Sequence, residues 1–390
     1  MDAIPPNYMQ QKQQQKQRRP SAMLGYAVLS IALAALVREA FLTSSGEPES
    51  YFSARSAQGD SASLRSRIRI GKWDLEDTKE LSVANMKRFM DRFVQEPHPM
   101  GSPANRELAS DMLFLLRSFG WQARAQDFTA VGPNLQSPRF GGRSVLASPT
   151  TEVSGQNIIG YLPGRESCVV IIGGHYDTKR FEEFRFVGAN DGGSSTVLML
   201  ELARLIPKVW GKAKGAAAVR SGMWRSCGLA LVFFDGEEAI LPGWSDGAAV
   251  AGVDDNLYGS RAFVRSLTDK GDTFLKQKIA LVLVLDMVGH KNQKLFITEG
   301  SDKAVAESLE RLAGEVKIAR APFRVEDDHI PFLQRGFRVA HVIDWTNLDE
   351  WHKPTDTPDI IGFDGLGKLG DLVLRFLGTP RMDQLARRDK

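Results

Sequence analysis

The sequence predicts an α/β fold, a three-layer sandwich in which a central, mostly parallel and twisted sheet is flanked by helices. Three observations predict it. Short, almost continuous apolar runs recur along the chain, as expected for strands that are covered on both faces. Stretches with helical spacing of apolar residues alternate with these runs, which is typical of a parallel sheet. Polar residues follow several of the runs directly, where open α/β sheets place their functional sites.

The apolar runs define five candidate strands, and the intervening periodicity defines seven candidate helices. The strands are predicted at 157–162, 169–173, 229–234, 279–285 and 339–343. The helices are predicted at 79–96, 104–119, 194–206, 259–267, 303–312, 330–335 and 366–377. A Pro- and Gly-containing turn separates the first two helices. Two further stretches, 208–225 and 241–256, are predicted to be loop insertions because they are rich in Gly and Ala.

The N-terminal part of the chain is predicted to lie outside the globular fold. Residues 1–21 are Gln-rich and carry a basic cluster that immediately precedes an uncharged apolar run. Basic residues on this side favour a cytosolic N-terminus. We therefore expect a cytosolic tail at 1–21, a signal-anchor transmembrane helix at 22–42, a flexible stalk at 43–64 and a catalytic domain at 65–390. A cleaved signal peptide, which would give a secreted enzyme, is the alternative.

The composition of the chain excludes some classes of function. With 390 residues, 43% hydrophobic and 25% charged, the chain is long enough to bury a substantial core. A net charge of only +3 gives no reason to expect a nucleic-acid partner. The two cysteines, Cys168 and Cys227, supply neither a disulfide framework nor a cysteine zinc site. Each precedes a candidate strand, and whether they bond to each other stays open because disulfide geometry is demanding.

The acidic turn after the third candidate strand is the most informative motif. Glu237 and Glu238 follow the apolar run 229–234 almost immediately. Adjacent carboxylates cannot point the same way, so one can bind a metal while the other transfers protons, as zinc enzymes require. A solvated acidic turn is the alternative for such a pair taken alone.

Further polar residues stand at the ends of the other predicted strands. Three of them, Asp191, Glu238 and His352, would bring two carboxylates and an imidazole together from three separate loops. Zinc prefers such ligands. Taken singly, each has a simpler interpretation: Asp191 as a helix N-cap, Glu238 as part of an acidic turn and His352 as a surface histidine. Their shared position at strand ends favours a metal site.

Several motifs together resemble the zinc aminopeptidase superfamily with a co-catalytic metal site. They are His-Tyr-Asp at 175–177, Gly-Ala-Asn-Asp-Gly at 188–192, Phe-Phe-Asp-Gly-Glu-Glu-Ala at 233–239, Asp-Met-Val-Gly at 286–289 and the late histidine. Leu-Tyr-Gly-Ser-Arg at 257–261, Asp-Asp-His-Ile-Pro-Phe-Leu at 327–333 and Glu-Trp-His at 350–352 are narrower. These three are similar to animal-type glutaminyl-peptide cyclotransferases, and the resemblance covers roughly residues 80–380.

The resemblance implies a zinc-exopeptidase-like fold and a role for each motif residue. It implies one zinc per chain on Asp191, Glu238 and His352, with Glu237 as general acid and base. The remaining implied site residues are two acids near Glu237, Asp286 and Asp327, and three residues that line the substrate pocket, Trp244, His341 and Trp351.

The chain departs from the resemblance in three places. The segment 240–256, which holds Trp244, is longer than is usual in the family. Asn347 stands where animal relatives have an aromatic residue. Gly174 and Thr196 stand in place of the cysteine pair of secreted relatives, so that family disulfide is excluded.

The function that the resemblance implies is zinc-dependent cyclisation of N-terminal Gln to pyroglutamate with release of ammonia. The partners would be peptides or proteins with N-terminal Gln, whether or not Glu is also accepted, and the membrane through the N-terminal helix. The location would be the Golgi membrane, as a single-pass type II protein. A two-zinc aminopeptidase that also uses His175 and Asp286 is the first alternative. A non-catalytic, receptor-like ectodomain is the second, although such proteins normally lose metal ligands and none is lost here.

Overall fold

The computed structural model describes residues 67–137, 142, 147–210, 227–268 and 278–379. The predicted tail, anchor and stalk at 1–64 lie outside the described residues, as do residues 211–225 of the first loop insertion. Within the described ranges, no helix is both long and apolar enough to cross a membrane. All the described residues belong to one structural unit, Ala62–Lys390.

Ten strands form two sheets in the described ranges. A hairpin pairs β1 (Arg67–Ile70) with β2 (Trp73–Glu76). The remaining strands make one eight-stranded sheet in the order β3-β4-β6-β5-β7-β10-β8-β9. They are β3 (Gln122–Pro133), β4 (Thr150–Leu162), β5 (Cys168–His175), β6 (Gly228–Phe234), β7 (Lys278–Asp286), β8 (Leu295–Ile297), β9 (Ile318–Arg320) and β10 (Val339–Ile343).

The helices of the described ranges are numbered in chain order. They are α1 (Val83–Phe93), α2 (Pro103–Ser118), α3 (Gly193–Trp210), α4 (Asp246–Val250), α5 (Tyr258–Thr268), α6 (Lys303–Leu312), α7 (Ile330–Gln334) and α8 (Phe363–Leu377), with a 3-10 turn at Pro358–Ile360. Ser82 and Ser102 begin α1 and α2 by accepting hydrogen bonds from backbone N–H groups at the third position beyond them. Such N-caps satisfy donors that have no partner within the helix.

The predicted three-layer α/β architecture is confirmed. The four central strands, β6, β5, β7 and β10, run parallel to one another, and antiparallel pairing occurs between β3 and β4, β4 and β6, and β10 and β8. Successive residues of each central strand face opposite layers, as strand geometry requires. Ile172 and Leu231 pack in the larger core with α1, α2, α3, α6 and α8, whereas Ile171 and Val232 pack with α5 and α7 on the other face.

All five predicted strands are present, and β10 has the predicted bounds. The sequence missed the hairpin, β3, β8 and β9. In β3 the exposed and half-buried residues outnumber the buried ones, so the strand has no apolar run to reveal it. The predicted loop insertion at 241–256 contains the short helix α4 and is held by the buried carboxylate of Asp255, which accepts hydrogen bonds from the Ile240 and Leu241 amides at 3.0 and 2.9 Å.

Cys168 and Cys227 form a disulfide, which settles the question that the sequence left open. The register of the sheet explains the pairing. Cys168 begins β5 and Cys227 immediately precedes β6, and the next residues, Val169 and Gly228, are partners in these parallel strands. The two Cα atoms therefore lie only 4.6 Å apart. A disulfide is typical of proteins that fold in an oxidising compartment and indicates the secretory route.

Candidate metal and catalytic site

The candidate site lies at the carboxyl end of the parallel strands. β5 ends at His175, β7 ends at Asp286, and the turn after β6 carries Glu237 and Glu238. Asp191 stands two residues before α3 begins. Because parallel strands bring their carboxyl ends to the same edge of the sheet, residues more than 100 positions apart in sequence become neighbours.

One group of three possible metal ligands consists of Asp191, Glu238 and His352. His352 Nε2 lies 3.1 Å from Glu238 Oε1 and 3.4 Å from Asp191 Oδ2. A tetrahedral zinc ion with bonds of about 2.0–2.1 Å would hold its ligand atoms about 3.3 Å apart. Asp191 Oδ2 and Glu238 Oε2 are buried without a hydrogen-bond partner in the described part of the chain. Two buried acceptors without partners fit a metal ion well, because buried polar atoms are otherwise almost always paired.

A second group of possible ligands adjoins the first and shares Asp191. His175 Nε2 lies 3.3 Å from Asp191 Oδ1 and 3.2 Å from Asp286 Oδ1. All three side chains are buried. His175 Nε2 and Asp286 Oδ1 are within hydrogen-bond distance, as are His352 Nε2 and Glu238 Oε1 in the first group. These two adjoining buried groups of carboxylates and imidazoles indicate metal binding.

Three residues near the candidate site hold its carboxylates in place. Asp177 accepts hydrogen bonds from the backbone N–H groups of Glu237 and Glu238 at 3.0 and 3.3 Å. Asp356 accepts from the Asn190 and Asp191 amides at 2.7 and 3.1 Å.

Lys179 is the third of these residues and is buried. Its Nζ donates to the carbonyl oxygens of Ala239 and Leu241 at 2.7 and 3.1 Å and lies 3.8 Å from Glu238 Oε2. This ammonium compensates part of the negative charge on Glu238. Backbone and side-chain contacts of this kind orient the groups that bind a metal directly.

The backbone is strained where the site residues attach. His352 and Met287, which follows Asp286, adopt the left-handed conformation with φ of 55° and 49°. Residues with a Cβ rarely do so, and such outliers concentrate at functional sites. Gly236, between Asp235 and Glu237, has φ of 69°, and a Cβ there would lie 2.3 Å from Met100 Sδ. A residue with a side chain would be strained here and would displace Met100, so this turn favours glycine.

The protonation of the site acids is perturbed by burial. Desolvation raises the pKa of Glu237 well above its usual range, and the carboxylates of Glu238 and Asp327 add to this effect against the opposing charge of His175. Burial likewise raises the pKa of Asp286 to about 6, although its hydrogen bond with His175 lowers it. Close carboxylates in a dry site cannot all ionise. At neutral pH the cluster can therefore hold a proton, as a general acid and base must.

Asp327, His329 and His341 form a third buried group. His341 Nε2 lies 2.9 Å from Asp327 Oδ2, and its Nδ1 lies 3.0 Å from Thr298 Oγ1. The two imidazoles are stacked, with centroids 4.1 Å apart and planes at 14°. The lone pairs of an imidazole lie in the plane of its ring, so those of two nearly parallel rings do not converge on one point. One ring would have to turn before both could bind the same ion. This group is better suited to fixing Asp327 than to holding a metal.

The charge state of this third group follows from its surroundings. Burial opposes ionisation of Asp327, but the nearby His341 outweighs it and lowers the pKa of Asp327 to about 2. Burial, with the adjacent His341, lowers the pKa of His329 well below its usual value. Asp327 is therefore a carboxylate and His329 a neutral imidazole. His341 itself is completely buried.

One of the predicted pocket residues, Trp351, contributes aromatic surface beside His352. The Trp351 ring stacks on the His352 ring with centroids 4.1 Å apart and meets Trp345 at 5.4 Å. Trp351 also packs against a small apolar cluster of Met287, Val325 and Ile343.

Trp244, another predicted pocket residue, donates from its Nε1 to Oε2 of Glu326, the residue before Asp327, at 2.7 Å. Asn347 makes polar contacts: its Nδ2 donates to Asp344 Oδ2 at 2.6 Å and to the Asn292 carbonyl oxygen at 3.1 Å. The structure thus brings all the metal-ligand and acid residues singled out from the sequence to one end of the sheet. The sequence did not assign Asp177, Lys179 or Asp356, although Asp177 belongs to a motif it did identify.

Comparison with known proteins gives consistent matches. The model of the family described as "Peptidase family M28" matches residues 157–377. A glutaminyl-peptide cyclotransferase-like protein of Bos taurus is 30% identical over 281 residues, covering 66% of this chain and 65% of the bovine protein. The match therefore spans slightly less than two thirds of that relative's length.

Solved structures give a similar result. An Acidobacteriales bacterium glutaminyl cyclase has a TM-score of 0.60 at 26% identity, covering 79% of this chain and 96% of that one. A leucine aminopeptidase precursor from Bacteroides thetaiotaomicron has a TM-score of 0.60 at 19% identity, covering 77% and 98%. At that identity the second likeness concerns the fold alone, and it shows that cyclases and aminopeptidases share this architecture.

Proposed function

The chain belongs to peptidase family M28, and we propose that within this family it acts as a glutaminyl-peptide cyclotransferase. The reaction would convert the N-terminal Gln of a peptide or protein to pyroglutamate and release ammonia. The similarity to the bovine relative and to the bacterial cyclase supports this assignment. The observation that carries it is the aromatic wall that Trp351 forms directly on His352.

This wall matters because the intramolecular reaction competes with hydrolysis. If water reached the γ-amide, the product would be N-terminal Glu instead of pyroglutamate. Trp351 stacks on His352 and is backed by Trp345 and an apolar cluster, so apolar surface lies beside the proposed metal ligand. Exclusion of water from a site suppresses such side reactions.

We propose that one zinc ion is held by Asp191, Glu238 and His352, whose donor atoms and unpartnered oxygens fit it. When bound, zinc would act as a Lewis acid on the γ-carbonyl oxygen of the substrate.

Glu237 would accept a proton from the α-amine as the amine nitrogen attacks the γ-carbonyl carbon. It would then return that proton to the amide nitrogen as the C–N bond breaks and ammonia leaves. Asp286 and Asp327 would keep this proton within the acid cluster, with His341 fixing Asp327.

A two-zinc aminopeptidase is the second candidate. The second ligand group favours it, because His175 Nε2 lies within 3.3 Å of both Asp191 Oδ1 and Asp286 Oδ1. In that enzyme Asp191 would bridge two ions and Glu237 would activate water. A receptor-like ectodomain finds no support in the site, since all the proposed ligands are present.

Mass spectrometry of a Gln-initiated peptide incubated with the purified protein and zinc tests the proposal. We expect the peptide to lose one ammonia and keep all its residues. Release of the first residue as a free amino acid would instead identify an aminopeptidase. A peptide recovered unchanged after incubation with zinc-loaded protein would contradict both enzymatic functions.

We further propose that the chain is a type II membrane protein of the Golgi, anchored at residues 22–42. The disulfide supports passage through an oxidising compartment. The native protein should then stay with membranes after a carbonate wash and keep an N-terminal tag. Protease added outside sealed vesicles should remove the tag but spare the catalytic domain. A soluble product that begins near residues 40–45 would contradict the anchor.

A further inference from the structure

Five aromatic rings form a continuous series that passes through the proposed metal site. Phe184 stacks on Phe181 with centroids 4.5 Å apart and planes at 21°. Phe181 meets the His352 ring at 5.8 Å, His352 stacks on Trp351 at 4.1 Å, and Trp351 meets Trp345 at 5.4 Å. All five residues are half-buried. The series extends from His352 on two sides, through the phenylalanines on one and through the tryptophans on the other. The proposed function uses the tryptophan side but leaves the two phenylalanines without a role.

The segment that carries the phenylalanines is held at both ends. Before it, the buried Lys179 donates to the carbonyl oxygens of Ala239 and Leu241. After it, Arg185 Nη2 donates to the carbonyl oxygens of Val94 and Gln95 beyond the end of α1, the first at 2.8 Å.

Phe186 belongs to the same segment, is 1% exposed and packs in the interior. Its ring contacts Phe181 at 5.4 Å and His352 at 5.9 Å. Phe181 and Phe184 are therefore presented by a fixed segment rather than a free one. A preformed apolar surface of this kind is what small-ligand sites use, because little ordering is needed when the ligand binds.

We propose that Phe181 and Phe184, together called the phenylalanine platform, bind the side chain of the second residue of the substrate and favour an aromatic one. This proposal rests on the proposed function, since it assumes that the N-terminal Gln occupies the site at His352. An extended peptide advances about 3.3 Å per residue. The residue after the Gln therefore comes within reach of a platform whose first ring contacts His352.

Aromatic recognition follows from the geometry of the pair. Both rings are half-buried, so each keeps apolar surface that a ligand can cover. Aromatic side chains prefer to meet such rings in offset or edge-to-face arrangements. A glycine in the second position would leave the platform uncovered.

Two matched peptides, Gln-Phe-Ala and Gln-Gly-Ala, test the platform. Phe184→Ala is the informative variant because Phe184 contacts Phe181 but is one ring removed from His352. We expect it to raise KM for Gln-Phe-Ala roughly five- to tenfold and to leave KM for Gln-Gly-Ala and both kcat values unchanged. Phe184→Trp should keep the preference for the aromatic peptide. Phe114→Ala is the matched control, since Phe114 is 46% exposed on α2.

Equilibrium binding of the same peptides separates the platform from the reaction. Calorimetry in a Glu237→Gln background, where turnover is slow, should show tighter binding of Gln-Phe-Ala, and Phe184→Ala should abolish that difference. Equal affinity for the two peptides, or equal weakening of both by Phe184→Ala, would overturn the platform even if ammonia is released. Conversely, a retained preference without any ammonia release would contradict the proposed reaction but support the platform.

Discussion

Two buried ionic clusters lie on or beside the same helix, α3, and they are built in opposite ways. Within the helix, the Arg204 guanidinium donates to both carboxylate oxygens of Glu201, to the Thr78 carbonyl and hydroxyl oxygens and to the Glu80 carbonyl oxygen, at 2.6–3.0 Å. Glu201 Oε1 also accepts from the Ser82 amide at 2.7 Å. Just before the helix, Asp191 Oδ2 has no hydrogen-bond partner in the described residues.

The difference shows how a structural ion pair can be told from a functional site. Both clusters are buried, so burial alone does not distinguish them. The Arg204 cluster satisfies its own donors and acceptors, as buried ion pairs must if they are not to destabilise the fold. In the site cluster, Asp191 Oδ2 and Glu238 Oε2 have no hydrogen-bond partner among the described residues, and further acids lie close to them. Unsatisfied acceptors of this kind imply that a ligand, here a metal ion, completes the cluster.

The largest expected effect comes from His352→Ala. Removal of the only imidazole from the proposed metal group should abolish bound zinc and activity together, because two carboxylates alone hold zinc poorly. Elemental analysis and ammonia release measure the two losses. His175→Ala provides the comparison and should keep one zinc per chain. Two zinc ions in the wild type, with one lost in His175→Ala, would contradict the single-zinc site and favour the aminopeptidase.

Glu237→Gln should have the next largest effect, a fall in kcat of about 10²–10⁴-fold with zinc retained. A carboxamide cannot carry a proton from the amine to the leaving nitrogen. Initial rates and metal content of the same preparation measure this. Glu107→Gln on α2, whose side chain is 75% exposed, controls for the substitution itself. A near-normal kcat in Glu237→Gln would transfer the proton relay to another acid, first of all Asp286.

Arg204→Met should act on stability and leave the site intact. It leaves the buried carboxylate of Glu201 without its cation, which typically lowers the free energy of unfolding by about 3–5 kcal/mol. For a domain of this size the midpoint of thermal unfolding would fall by roughly 5–10 °C. The double variant Glu201→Met/Arg204→Met should recover part of the loss, since it removes both charges. Loss of zinc from Arg204→Met at a temperature where it is folded would contradict the separation of the two clusters.

The sequence predicted the centre of the fold better than its edges. The strands β5, β6, β7 and β10 are continuous apolar runs because both of their faces are covered, and each was found. The edge strand β3 was missed because most of its residues are exposed or half-buried and it shows no such run. Strand order, and with it the adjacency of Cys168 and Cys227, depends on contacts between distant segments that no local pattern encodes.

The residues of the candidate site likewise include some that the sequence could identify and some that it could not. Asp191, Glu238 and His352 could be proposed from the sequence because they are metal-ligand types that follow predicted strands or open a helix. Asp356 could not, because its role is to accept hydrogen bonds from the Asn190 and Asp191 amides, and any acidic residue in a loop looks the same in sequence. The phenylalanine platform has no motif at all and depends on ring positions.

The last expected effect concerns the pH dependence of stability after zinc is removed. Burial and the neighbouring Asp177 raise the pKa of Asp235 to about 8. Burial and Asp191 raise the pKa of Asp356 to about 7. Burial lowers the pKa of His352, but Glu238 and Asp191 outweigh it and raise the value to about 9. In each case the folded, metal-free protein holds a proton that the unfolded chain releases at lower pH.

The sign follows from proton binding. Since the folded state binds more protons between pH 4 and 9, the free energy of unfolding should fall as pH rises through that window, by up to about 1.4 kcal/mol per pH unit for each group. Urea unfolding of chelated protein at several pH values measures the slope. Zinc-loaded protein should show a shallower slope, because the metal replaces the proton on His352. Asp235→Asn, which mimics the neutral acid, should also flatten the slope of the chelated protein. A chelated protein that becomes more stable from pH 5 to pH 8 would show that the site acids do not hold these protons, and the contrast with the self-satisfied Arg204 cluster would then rest on geometry alone.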